Sequence, residues 1–172
     1  MTDASQTTVS PAASLCKSCG LCCTGHLFAW TKLRSAELDP IHSLGLKVFR
    51  EPNQRGFNQP CQLWDGVCTI YDMPQYPRFC RTYKCKLLKQ VLDEVTPLPS
   101  ALTTVRETKN LIHELDMVLP NPSIPNFRER LVACLENQDA NSQIQQEAKE
   151  LLEVYDKHFG VTGLLGEASA KS

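Results

Sequence analysis

Nine of the 172 residues are cysteines, and eight of them fall into two groups whose spacing suits metal chemistry. The first group, Cys16-Lys17-Ser18-Cys19-Gly20-Leu21-Cys22-Cys23, is a C-x2-C-x2-C-C array. Four sulfurs this close in sequence let one tight turn, eased by Gly20, aim several of them at a single centre. Cys16, Cys19 and Cys22 match the opening of the bacterial ferredoxin run that holds a [4Fe–4S] cluster. The rest of that run is missing: His26 stands where its fourth cysteine is due, and no proline follows. A fourth ligand therefore comes from the second group or from His26. The vicinal Cys22 and Cys23 do not readily ligate one ion from an extended backbone, where successive side chains diverge. Either they serve two centres or one of them packs.

The second group is Cys61, Cys68, Cys80 and Cys85, spaced C-x6-C-x11-C-x4-C, of which only the last pair resembles a zinc knuckle. Eight thiolates supply two four-sulfur sites, or one cluster with spare cysteines. Iron–sulfur is the first reading because of the ferredoxin-like opening; zinc, which also accepts all-thiolate sites, is the second. Either centre carries about two net negative charges with four thiolates. Lys17, Arg78, Arg81, Lys84 and Lys86 stand nearby in sequence to offset that charge. Arg78 and Arg81 are the candidates to contact a bound cofactor from behind the sulfurs. Cys134, alone on the Phe127, Leu131 and Leu135 side of a helix, reads as a core thiol.

The elements that must position these residues form an α+β chain without repeats. Residues 1–13 read as a disordered lead-in, 14–160 as one domain and 161–172 as a flexible tail. Within the domain, 14–88 form an irregular cysteine-rich core and 89–160 a helical part. His26 to Trp30 suggests a short strand, and Ser35 a cap for a short helix. Asp65-Gly66, between two runs of β-type residues, predicts a hairpin that pairs Leu63 with Cys68 and Cys61 with Ile70. That pairing puts Cys61 and Cys68 on one face. Leu102, Val105, Leu111, Ile112, Leu115 and Val118 mark one helix, Phe127 to Leu135 a second, and Ile144 to Phe159 a third capped by Asn141. Three or four C-terminal helices thus buttress the cysteine core.

A net charge of -1 gives no basic field for nucleic acid or anionic membrane, and only Phe79 and Tyr83 offer stacking rings beside the basic residues. No run is long and apolar enough to span a bilayer, and the N-terminus lacks the pattern of a signal peptide. The expected compartment is the reducing cytoplasm, where clustered cysteines more often hold metal than form disulfides.

Cys16-x2-Cys19-x2-Cys22-Cys23, Pro60-Cys61, Cys68-Thr69-Ile70-Tyr71, Cys80-Arg81 and Cys85 together resemble the zinc- or iron-chelating CxxCxxCC family. That family includes iron–sulfur oxidoreductase-like proteins and relatives of flagellin lysine N-methylases. One departure is Tyr76-Pro77-Arg78-Phe79, where the family commonly has Arg-Pro before the Cys-Arg pair. The resemblance implies metal binding and leaves three roles. The first is an iron–sulfur redox or accessory protein, oxidoreductase-like if an enzyme, with a redox partner. The second is a structural zinc protein whose helices bind a partner. The third is a methyltransferase-like enzyme, although no G-x-G-x-x-G cofactor loop is present.

Overall fold

The computed structural model describes residues 9–162 except 125 and 138. Among the described residues the architecture is α+β, with a three-stranded antiparallel sheet and an irregular segment flanking seven α-helices. The first helix, α1 (Pro11–Cys19), starts at Ser10, whose hydroxyl accepts the Ala13 N–H, and ends at Gly20 with φ +70°. It takes in residues 11–13, placed in the lead-in from sequence; residues 1–8 and 163–172 lie outside the described part. The tight turn expected across the first cysteine array is mostly helix. Cys16 and Cys19 are one turn apart on α1, and only Cys22 and Cys23 lie in the turn beyond it.

The strands are β1 (Trp30–Lys32), β2 (Val48–Glu51) and β3 (Gln54–Asn58), in spatial order β1-β3-β2. Between β1 and β2 runs a 3-10 turn (Ser35–Glu37) and then α2 (Leu38–Ser43). Ser35 does not cap it. The Glu37 carboxylate instead accepts the Arg34 N–H at 2.7 Å. The hairpin of this fold is β2–β3, closed by Pro52-Asn53 with Glu51 opposite Gln54, and not the Asp65-Gly66 segment. There, only Trp64 and Cys68 form an isolated bridge. The physical reason is that the Trp64 N–H turns back to the Cys61 carbonyl (3.1 Å) instead of pairing with Val67, so the self-pairing slips by one residue and is short, held by the Thr69 N–H on the Leu63 carbonyl (3.1 Å). The Cys61 N–H goes to the Cys23 carbonyl (2.7 Å) and the Cys68 N–H to the Lys17 carbonyl (3.4 Å), which docks the segment on the first cysteine array.

Two short helices follow, α3 (Arg78–Thr82) and α4 (Lys86–Leu92), then α5 (Leu98–Val118), α6 (Phe127–Glu136) and α7 (Ser142–Val154), which runs into a π turn (Tyr155–Phe159). Asn141 caps α7 as expected, accepting the Gln143 and Ile144 N–H groups. The larger core joins α1, α4, α5, α6 and α7 through Leu15, Leu87, Ile112, Leu131, Leu151 and Tyr155. A smaller one lies under the sheet around Leu33, Ile41, Phe57 and Ile70. The buried stripe of α5 is Ala101, Val105, Thr108, Ile112 and Leu115. Leu102 and Val118, assigned to that stripe from spacing, face solvent. At the end of α5, buried Arg130 binds Asp116 Oδ1 (2.6 Å) and the carbonyls of Asp116, Leu119 and Pro120, satisfying helix-end acceptors.

Candidate metal centre

The eight clustered cysteines are brought together from four places in the chain, and they divide between the two cores. Cys16, Cys19 and Cys22 pack against the larger core with Cys85, the N-cap residue of α4. Because α1 lies against both α4 and α5, the end of α1 and the start of α4 meet there. These four thiols line a largely enclosed apolar cavity of about 70 Å³, whose wall also includes Leu21, Phe28 and Phe159. That is room for several waters, at roughly 10–15 Å³ each. Cys23 and Cys80 line the same cavity.

Cys61, Cys68 and Cys80 pack instead against the smaller core. Cys80 rides on α3, while Cys61 and Cys68 lie in the irregular stretch between β3 and α3. Cys23 joins this set through the bond from Cys61 N–H to its carbonyl. The vicinal pair therefore splits, Cys22 to one core and Cys23 toward the other.

Burial governs the chemistry of these groups. Desolvation pushes the Cys16 and Cys19 thiols up to about 11 and Cys80 to about 12, and holds Cys22 and Cys23 higher still. Mutual repulsion adds to it, and at Cys16 it comes from both sets, from Cys19 and Cys85 and from Cys68. Cys22 responds most to Cys19 and Cys85, whereas Cys23 responds to Cys68, Cys80 and Cys61. Backbone donors pull the other way: Leu21 N–H toward Cys19, Leu63 toward Cys61, Ile70 and Tyr71 toward Cys68, and Leu87 and Leu88 toward Cys85. The Leu88 N to Cys85 Sγ distance is 3.4 Å. Such donors favour a thiolate over a thiol and orient it. All nine cysteines are free, and Cys134 is buried in the helical core as expected.

Several residues that spacing did not single out as site residues complete the centre. Tyr76, buried between the two sets, donates its hydroxyl to the Cys80 carbonyl (3.2 Å). Lys109 reaches from α5 to the Ser18 carbonyl (3.1 Å) at the end of α1 and lies 5.9 Å from the Trp64 ring. Trp64 covers Gly20, whose missing side chain leaves the indole its place: an added Cβ would stand 2.1 Å from Trp64 Cζ2. Local spacing gives no signal for these contacts, because each joins segments far apart in the chain. Arg78 is exposed, with its backbone N–H on Glu37 (2.6 Å). Arg81 touches the centre through Tyr76, donating to its carbonyl (3.4 Å) and lying over its ring. His26 is turned away from the cysteines onto Phe127, with ring centroids 5.0 Å apart.

No three His, Cys, Asp or Glu side chains among the described residues form a ready site for a single metal ion. The first four sulfurs stand around a cavity instead of meeting at a point. Their chemistry suits a thiophilic metal centre: free soft donors, water largely excluded, and N–H groups directed at sulfur. A half-buried eight-thiol cluster of this kind defines a metal-chelating class of protein. Residues 15–109, more than half of the chain, match the CxxCxxCC model, described as a zinc- or iron-chelating domain, and the chain belongs to that family. No curated protein and no solved structure matches it. No helix among the described residues is long and apolar enough to cross a membrane.

Proposed function

We propose that the chain holds an iron–sulfur cluster on Cys16, Cys19, Cys22 and Cys85, in a redox or accessory role. The observation that carries this reading is the apolar cavity that those four cysteines line beside Cys23 and Cys80, three of the four with ferredoxin-like spacing and the fourth supplied from α4. A cluster bound there would supply one-electron transfer, with the potential set by burial and by hydrogen bonds to sulfur. Leu21, Phe28 and Phe159 limit water at the cavity wall. The N–H groups of Leu21, Leu87 and Leu88 hold Cys19 and Cys85 oriented and stabilise their thiolates. Because burial keeps the thiols protonated, loading the centre releases protons. Nine free thiols suit a reducing compartment such as the cytoplasm, and electron exchange implies a redox partner.

The test is anaerobic purification without added metal, followed by iron, zinc and acid-labile sulfide counts and a visible spectrum. Near-equal iron and sulfide with dithionite-bleached colour is expected, and Cys85→Ser should lose that colour. Zinc without iron or sulfide would replace this reading with a structural zinc protein whose helices bind a partner.

A further inference from the structure

The first four thiols account for only half of the cluster. We infer that Cys23, Cys61, Cys68 and Cys80 form a second, separate four-thiolate site for a thiophilic metal. This deepens the metal-binding reading above and rests on it. Three observations support the division. Cys61, Cys68 and Cys80 pack on the smaller core, whereas Cys16, Cys19, Cys22 and Cys85 pack on the larger one. Backbone bonds then tie the second set together: Cys61 N–H to the Cys23 carbonyl (2.7 Å), and the Trp64–Cys68 bridge within the segment.

Residues 59–77 contain no helix or strand, and Ile70, Tyr76 and Pro77 are their main fully buried apolar groups. A stretch this irregular gains little from its own core, and a metal bound by Cys61 and Cys68 would fasten it to Cys23 and Cys80.

The experiment uses the full chain loaded anaerobically with iron and sulfide or with zinc. Native alkylation with iodoacetamide is read cysteine by cysteine by mass spectrometry, beside metal counts for the wild type, Cys61→Ser, Cys68→Ser and Cys85→Ser. Two sites predict that all eight thiols are protected in the loaded wild type. Cys61→Ser and Cys68→Ser should then each lose one centre's metal and keep protection at Cys16, Cys19, Cys22 and Cys85. Cys85→Ser should show the reverse. The proposal is overturned if Cys61 and Cys68 are alkylated in the fully loaded wild type, a result that needs no variant to fold. It is also overturned if every variant loses all metal together while its circular dichroism stays native, because one shared centre would then be present. Zinc in both sets with no iron or sulfide would defeat the iron–sulfur reading and leave the two-site division standing.

Discussion

Gly20→Ala should be among the most damaging single-methyl changes in this chain, and the structure supplies its own control. Gly20 and Gly66 share φ +70°, but nothing lies within 4 Å of a Cβ built on Gly66, whereas on Gly20 it meets three Trp64 ring atoms at 2.1, 2.5 and 2.6 Å. The backbone term is common to both: about 1–2 kcal/mol for a left-handed alanine. It is partly offset by about 0.4–1 kcal/mol from the stiffer unfolded chain. Gly66→Ala should therefore cost about 1 kcal/mol. Gly20→Ala adds overpacking of about 1–3 kcal/mol, because the indole must move, giving a total of roughly 2–4 kcal/mol. The assay is urea unfolding of the metal-free chain, where two-state behaviour lets midpoints be read as stability. Trp64→Ala should rescue Gly20→Ala, bringing its cost in that background down to the Gly66 value. Equal costs for the two glycines, or a Gly20 cost unchanged by Trp64→Ala, would refute the close fit of Trp64 over the end of α1.

Two further outcomes concern single side chains. His26 is held neutral by burial, its pKa lowered from 6.5 to about 4. Its contribution is thus fully present above pH 6.5 and lost as the pH falls toward 4, at up to about 1.4 kcal/mol per unit, or about 3 kcal/mol in all. His26→Phe should remove that loss, so stability against urea measured from pH 7 to pH 4 should fall less steeply than in the wild type; parallel curves would count against it. Tyr76→Phe should keep the fold but weaken metal binding about 10–100-fold, because the hydroxyl holds the Cys80 backbone in place. Competition with a chelator measures this, and unchanged affinity would show the phenol to be only a packing group.

Much of this molecule was legible locally. Helical periodicity marked α5, α6 and α7, since each buries one face of a regular element. The Asn141 cap was visible because a cap is a contact within one turn. The stripe of α5 was partly misread: Leu102 and Val118 have helical spacing, but no neighbour covers them. The hairpin at Asp65-Gly66 failed for a different reason. Its turn residues are right, and Gly66 does adopt positive φ, but the Trp64 N–H turns back to the Cys61 carbonyl and the pairing slips by one residue, while Cys61 and Cys68 bond carbonyls some forty to fifty residues earlier.

The sequence by itself determined the chemistry of the site. Cysteine type and spacing specify soft, deprotonatable donors in two groups, whatever the chain does around them. Only the tertiary structure decided how those donors are shared. Sequence left the partner of Cys16, Cys19 and Cys22 open between the second group and His26. Packing α1 against α4 brings Cys85 to them, while Phe127 takes His26 away. Sequence left Cys22 and Cys23 undivided, and the turn after α1 sends them toward different cores. Such choices depend on contacts between residues up to about a hundred positions apart, which local spacing does not encode and which only the packing of whole elements fixes.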